Sequence, residues 1–507
     1  MNVETSSALG QMNRRGFLKA LGVGAAGLGL GGRVFGARGD KPNLLIIHTD
    51  EHNFRTLGCY RKLLSEDQAF VWGKGVEVET PNIDWLADNG AVCTGFYATT
   101  PVCSPSRGSF ISGLYPQNTP VVTNNIPLND GVVTFAEVLR RQGYATGYAG
   151  KWHLDGAGKP QWEPKRRFGF EDNRYMFNRG HWKQLEDTAS GPRVKSRNAK
   201  DKPDYGVKGA DEKSFTTDFL ADKTVEFIKA HKDGPFCYMV SIPDPHGPNT
   251  VRPPYDTMFD HLDFKAPRTM SKPDSSVPEW GKKQAEKLNP KQMALYFGMV
   301  KCIDDNVGKI LGVLRDCDIL DRTIVIFTSD HGDMCGEHGR HNKGVPYETS
   351  AKIPFVIYFK GKVKVGTVVR EALSCVDFRP TILNLMGFET GGPVEGRDAS
   401  ALLASGKAPA GWKDVAFMRS TGGQKGQANW LAAVTRRYKL VYSALDDPWL
   451  FDLQGDPDEL TNFFSDPAYR QTVRELSRAL LVYGKKHKDP YVDHPAIKRG
   501  LQRAVRV

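Results

Sequence analysis

Asn43-Leu44-Leu45-Ile46-Ile47-His48-Thr49-Asp50-Glu51 is a near-continuous apolar run that stops on two acids. A run without polar alternation predicts a strand buried on both faces, as in a parallel sheet covered by helices on either side. Three further runs of this kind lie at residues 144–149, 236–241 and 323–329, and each leads into polar residues. The first continues into Gly150-Lys151-Trp152-His153-Leu154. The second continues into Ile242-Pro243-Asp244-Pro245-His246-Gly247-Pro248. The third continues into Asp330-His331-Gly332-Asp333. Ligands collect at the carboxyl ends of such strands, so the four ends point to one site. Asp50 and Glu51 suit a hard divalent cation, which takes oxygen ligands, although an acidic pair alone is more often a helix cap. Lys151 and His153 alternate along an extended segment and can face one side. Prolines on both sides of His246 stiffen its turn.

Helical spacing fills the intervals. Thr80-Pro81 opens a helix with threonine as its cap, and Thr134-Phe135-Ala136-Glu137 reads as a capping box for a helix ending near Gly143. Residues 215–228 and 293–314 carry apolar residues at helical spacing, and Val376 opens another helix. Residues 168–209 are polar and aperiodic, which predicts a long loop at the rim of the site. Beyond a Gly/Ala/Ser-rich linker at 393–411 the pattern changes to short strands at 430–434, 438–443 and 449–452, then a helix over 469–483.

The chain has 507 residues, 40% of them hydrophobic and 25% charged, with a formal net charge of +11. These values fit a globular enzyme with an anionic partner. No block of like charges and no nucleic-acid motif is present, so a small acidic molecule or polyanionic sugar suits the charge better than nucleic acid. Eight dispersed cysteines without a CxxC pair argue against a zinc site or a disulfide scaffold. Asn13-Arg14-Arg15-Gly16-Phe17-Leu18-Lys19 precedes a Gly/Ala-rich apolar run, the pattern of a twin-arginine export signal over residues 1–37.

One more stretch fixes the chemistry. Pro101-Val102-Cys103-Ser104-Pro105-Ser106-Arg107, followed by Ser112-Gly113, resembles the maturation signal of the type-I sulfatases of the alkaline-phosphatase-like superfamily. That signal is Cys-x-Pro-x-Arg followed by a Thr/Ser-Gly pair. The resemblance extends, in order, through Gly150–Leu154, the Pro-flanked His246, Ser329-Asp330-His331-Gly332, Gly336-Glu337-His338-Gly339, and Lys343 before Tyr347-Glu348. It covers about residues 41–485.

The resemblance implies an α/β fold. A large mixed, mostly parallel sheet flanked by helices is expected at 41–392, with a smaller C-terminal antiparallel-sheet subdomain at 412–485. It implies that a formylglycine-generating maturase converts Cys103 to Cα-formylglycine, whose hydrate attacks sulfur and later expels the sulfate by C–O cleavage. Asp50, Glu51, Cys103, Asp330 and His331 are then the metal site, for one Ca²⁺ in preference to Mg²⁺. Arg107 and Lys151 orient the modified residue, His153 is the base of the elimination, His246 protonates the leaving oxygen and Lys343 grips the sulfate. Lys151, His246 and Lys343 contact the substrate. Glu51 stands where the family has a second aspartate and His331 where asparagine is common, which leaves the metal open. The expected enzyme is a periplasmic or secreted sulfuric ester hydrolase that uses the twin-arginine machinery and acts on a sulfated carbohydrate. Two rivals are a phosphonate or phosphodiester hydrolase of the same superfamily and a non-catalytic binder of sulfated glycans.

Overall fold

A computed structural model describes residues 41–271, 277–285, 287–421 and 429–506. The export-signal pattern lies outside these residues. All the described residues belong to one compact unit.

The opening run forms Asn43–Asp50 (β1), buried along its whole length. It joins Ala91–Cys93 (β2), Ala145–Lys151 (β3), Met176–Phe177 (β4), Phe236–Pro245 (β5), Thr323–Ser329 (β6), Phe355–Tyr358 (β7) and Thr367–Val369 (β8) in one sheet, in the order β8-β2-β7-β6-β1-β5-β3-β4. Every pairing is parallel except those of β7 with β6 and β2. Pleating sends Leu44 and Ile46 to one face and Leu45 and Ile47 to the other, each fully buried. Each such side chain contributes about 1.5–3 kcal/mol of apolar burial.

The longer α-helices that order the rest include Cys103–Ser112 (α1), Thr216–His231 (α2), Pro290–Asp316 (α3), Cys375–Leu385 (α4) and Arg470–His487 (α5). The rings of Phe110 on α1 and Phe378 on α4 stack at 3.9 Å on the face that holds Leu44. Leu220 of α2 and Ile303 of α3 pack on the face that holds Leu45. The result is the layered α/β architecture that buried parallel strands demand.

Ala416–Arg419 (β9), Trp430–Val434 (β10), Tyr438–Ser443 (β11) and Trp449–Asp452 (β12) form an antiparallel sheet in that order. Leu431, Ala433, Leu440 and Tyr442 face α5. Trp430, Ala432, Val434 and Val441 face the body of the enzyme at Tyr97, Met334 and Tyr347.

Several local expectations need correction. Thr80 stands at the cap position, but its hydroxyl bonds to Asp84 Oδ1, and the first N–H groups of the helix, those of Asn82 and Ile83, donate to the Asp304 carboxylate instead. The Thr134 hydroxyl accepts from the Glu137 N–H, yet Glu137 turns its carboxylate to Arg140 and Arg141, so the box is half made. Residues 168–209 are more than a loop. They hold β4 and a hairpin of Leu185–Thr188 with Gly191–Val194. A further helix follows the one expected over 469–483. Pro495–Arg506 (α6) buries Ile497 and Leu501 against the small sheet.

Candidate functional site

Strands β6, β1, β5 and β3 are neighbours and parallel, so their carboxyl ends deliver Asp330, Asp50, the His246 turn and Lys151 to one edge. Glu51 breaks from β1 with a positive φ of 63°, a left-handed turn that ends the strand. Opposite these ends, Cys103 is the first residue of α1, preceded by an extended Val102. Gly113 closes α1 at φ 71°, where a Cβ would be strained. Thus the Pro-Ser-Arg segment forms the first turns of a fully buried helix, with the thiol aimed at the strand ends.

Cys103 Sγ lies 3.2 Å from His331 Nε2, 3.6 Å from Lys151 Nζ and 3.7 Å from Asp50 Oδ1. His331 Nδ1 sits 3.0 Å from the Gly332 carbonyl, which can only accept, so Nδ1 carries a proton, and in the neutral ring Nε2 presents a lone pair. Arg107, four residues on from Cys103, braces the cluster from behind. Its Nε donates to Asp330 Oδ2 at 2.9 Å, Nη2 to Asp50 Oδ2 at 3.2 Å, and Nη1 to Ser241 Oγ and the Lys151 carbonyl. Lys151 Nζ pairs with Asp50 Oδ2. One turn of helix separates Cys103 from Arg107, which explains why a cysteine and an arginine at this spacing serve one site.

A second group adjoins the first. His246 Nε2 lies 2.9 Å from Glu51 Oε2 and 2.6 Å from Lys343 Nζ, while its Nδ1–H donates to the Gly247 carbonyl at 2.8 Å. Lys343 Nζ also pairs with Glu51 Oε2 at 3.0 Å. The structure therefore brings Asp50, Cys103, Arg107, Lys151, Asp330 and His331 together, and sets Glu51, His246 and Lys343 beside them. Glu51 is spent on Lys343 and His246 through one oxygen, and its other oxygen, Oε1, is buried without a hydrogen-bond partner. His153 joins by its backbone: its carbonyl accepts from Ser104 Oγ at 2.7 Å, while both ring nitrogens are buried without partners.

Burial raises the pKa of the Cys103 thiol, and the Asp50 charge raises it further. Burial also opposes ionisation of Asp50, but Lys151 and Arg107 hold it well below the usual carboxylate range. Glu51 is held at about 2 against its burial by His246 and Lys343. Burial depresses the His153 imidazole well below its ordinary value, and Lys151 and Arg107 depress it further. The charged forms of these carboxylates are thus fixed before any substrate arrives.

Asp50, Cys103, Asp330 and His331 each offer a ligand atom within 4.8 Å of the others. Two carboxylates, a histidine lone pair and the orphaned Glu51 Oε1 nearby fit a divalent cation, which would satisfy the acceptors that the protein leaves open.

Two residues carry more than sequence reasoning assigned them. His181 stacks on His246 with ring centroids 3.5 Å apart and planes 9° from parallel, and its Nε2 accepts from Lys151 Nζ at 2.8 Å. Lys183 is buried and pairs with Asp244 at 2.6 Å, which fixes the chain before His246. Both lie in the polar 168–209 segment, where no periodicity singles out a position. Conversely, the Gly336–Gly339 motif is structural. Glu337 pairs with Arg55 at 3.0 Å and His338 stacks on Tyr347 at 3.8 Å.

The family described as Sulfatase matches residues 42–388, and that described as N-sulphoglucosamine sulphohydrolase, C-terminal, matches residues 336–486. The N-acetylglucosamine-6-O-sulfatase of Bacteroides thetaiotaomicron is 25% identical over 523 residues, covering 89% of this chain and 87% of that protein. The arylsulfatase of Clostridium perfringens is 27% identical, with 91% and 98% covered. Among solved structures, the YidJ protein of Bacteroides fragilis superposes with a TM-score of 0.72 at 26% identity, with 90% and 97% covered.

Proposed function

Because the chain belongs to the sulfatase family and is a sulfatase, we propose that it removes sulfate from a sulfated carbohydrate outside the cytoplasm after conversion of Cys103 to formylglycine. One observation carries this reading: a single thiol at the start of a buried helix, ringed by His331, Lys151 and Asp50 at 3.2–3.7 Å. A buried cysteine placed only for packing has no need of such neighbours. The names of the Bacteroides N-acetylglucosamine-6-O-sulfatase and the twin-arginine pattern at residues 13–19 support the substrate class and the exported location.

Sulfate ester cleavage needs charge neutralised on the sulfuryl group, an activated nucleophile and a proton for a poor leaving alcohol. Asp50, Asp330 and His331, with Glu51 Oε1, would hold the cation, and calcium suits the carboxylates. Formylglycine would supply a nucleophile that releases sulfate without a second attack at sulfur, and the cation would supply positive charge beside it. Arg107 fixes Asp50 and Asp330 so that neither swings toward substrate. Lys151 and Lys343 supply positive charge on the two sides of the sulfate. His246 delivers the proton to the leaving oxygen from Nε2, where Glu51 can steady the imidazolium. His153, kept neutral by burial, takes up the proton released at the nucleophile.

A second reading, hydrolysis of a phosphonate or phosphodiester, is favoured by one feature. His331 brings a nitrogen donor to the cation cluster, which suits a softer metal. Turnover of a nitrophenyl sulfate and a nitrophenyl phosphodiester, each before and after chelation, separates the two. Preference for the sulfate, lost on chelation and restored by calcium, supports the proposal. Preference for the diester overturns it.

A further inference from the structure

One cavity at the carboxyl edge of the sheet has no part in the chemistry described so far. It holds about 320 Å³ and begins one residue from each of two groups of the site, since Gly247 follows His246 and Asn342 precedes Lys343. Buried Tyr296 of α3 forms its floor. The Tyr296 hydroxyl donates to the Glu51 carbonyl at 2.7 Å and accepts from the Asn53 N–H at 2.9 Å. The Asn53 side chain in turn donates to the carbonyl of Asp333, which lines the wall, at 2.8 Å. The cavity is thus fastened to the turn that ends β1, beside the histidine that faces the leaving oxygen.

Amides fill much of the remaining lining. Asn289 Oδ1 caps α3 by accepting from the Gln292 N–H at 3.2 Å, which leaves its Nδ2 to donate. Asn249 Nδ2 donates to the Gln292 carbonyl at 3.1 Å, which leaves its Oδ1 to accept. Gln292 and Asn342 are exposed, and among the described residues neither side chain has a hydrogen-bond partner. Asp333 Oδ1 accepts from the Cys335 N–H at 2.7 Å. Cations are missing from the cavity, whereas Arg107, Lys151 and Lys343 crowd the neighbouring cluster. No lysine or arginine lines it. Nearby Lys291 is turned to Asp260 at 2.7 Å, and burial lowers the pKa of His341, which keeps that ring neutral.

We propose that this cavity receives the sugar ring that carries the ester and selects an uncharged ring, one without a carboxylate or a second sulfate. Each sugar hydroxyl both donates and accepts, and four amides with one carboxyl offer both roles from several sides. The volume lies at the low end of small-molecule sites, which suits a single ring. A second anion placed there would shed its water and meet no cation in return. Charge would then be recognised once, at the ester, and the rest of the ring by hydrogen bonds alone. The inference rests on the sulfated-carbohydrate reading of the function, and its test reads a preference between sugars in binding as well as in hydrolysis.

The test compares parent enzyme, Gln292→Arg, and the double variant Gln292→Ala/Asn342→Gly, in which glycine takes the left-handed φ of 62° at residue 342 without strain. The probes are N-acetylglucosamine and galactose sulfated at each position in turn, the doubly sulfated forms of both sugars, and a nitrophenyl sulfate. Calorimetric affinity is read beside kcat/KM. The parent should prefer a monosulfated sugar to its doubly sulfated form by about tenfold or more. Gln292→Arg, which brings a cation into the cavity, should shift that ratio toward the doubly sulfated form by about tenfold. The double variant should lose about tenfold on the monosulfated sugar relative to the nitrophenyl sulfate, the size of two hydrogen bonds. A parent that takes both forms equally, or an unchanged ratio in either variant, overturns the proposal. So does a parent that cleaves the nitrophenyl sulfate but neither binds nor cleaves any of the sugars. If Gln292→Arg fails to fold, Asn249→Lys places the cation beside it and is read in the same way. Absence of all turnover, with the preference intact in binding, counts against the catalytic proposal and leaves the cavity standing.

Discussion

Two of the buried charge clusters among the described residues are built on different plans. At the strand ends, Asp50, Glu51, Asp330, Arg107 and Lys151 lie buried around a thiol, and valences are left over. Glu51 Oε1 and both nitrogens of His153 have no partner. Under the small sheet, Lys439 is fully buried and has its charge taken up by the protein. It donates to the Pro346 carbonyl and Glu459 Oε1 and pairs with Glu348 Oε1, each at 2.7 Å. Glu459 Oε2 in turn accepts from the Glu348 N–H. This second cluster ties β11 to the segment that follows Lys343, and each of its carboxylates faces a lysine. The thiol held among the charges, more than burial or charge itself, marks the first cluster as the place for chemistry.

The sharpest way to break this contrast is to remove one group from each cluster. Cys103→Ala should lower kcat/KM on a nitrophenyl sulfate by about 10³-fold or more, worth roughly 4 kcal/mol, with the melting temperature nearly unchanged. A variant that keeps activity would put the nucleophile elsewhere. Lys439→Ala should do the reverse. It leaves Glu459 buried without its cation and Glu348 with Lys352 alone, a loss of about 3–5 kcal/mol in stability. Turnover per folded molecule at low temperature should hold. Denaturant unfolding beside active-site titration reads both quantities, and a selective loss of turnover would erase the distinction.

His181→Ala probes the edge of the first cluster. Its ring touches Lys151 and His246 but not Cys103, so it acts as a positioning residue. The expected loss is roughly 10–100-fold in kcat/KM, with a changed pH profile and little change in melting temperature. A change in stability alone would make it a packing residue.

The smallest effect is one of pH. Burial raises the Glu459 carboxyl from 4.5 to about 7, with Lys439 opposing and Glu348 adding to the rise. A folded-state pKa above the unfolded value contributes stability that is full below about pH 4.5 and is lost as pH rises through about 7. Parent enzyme should therefore melt a few degrees lower at pH 8 than at pH 5.5, by roughly 2–4 °C, and Glu459→Gln should flatten that slope. A slope that survives the substitution belongs to other groups.

Much of the first cluster was legible in the sequence. Apolar runs that stop on Asp50, Lys151 and Asp330 announce parallel strands and the edge where their ends meet. The joint role of Cys103 and Arg107 is legible through the family resemblance and not through spacing, because nothing in the sequence around Pro105 announces that the helix already begins at Cys103. His181 and Lys183 could not, because they reach the site from an aperiodic segment through β4 and a hairpin too short to show alternation. The pairing of Glu51 with Lys343 and His246 depends on a left-handed turn after β1, and the sequence holds no glycine there to announce it. Nor could Thr80 be seen to prefer Asp84, since both uses of a threonine at a helix start look alike along the chain. The last helix, α6, lies past the point where family resemblance ends, and only Ile497, Leu501 and Ala504 hint at its buried stripe.

Intact and peptide mass analysis of active enzyme, made in a host that carries a formylglycine-generating maturase, reads the central claim directly. An aldehyde in place of the thiol at residue 103, in a fraction that tracks specific activity, is the predicted result. A peptide that retains its thiol in fully active enzyme would contradict it.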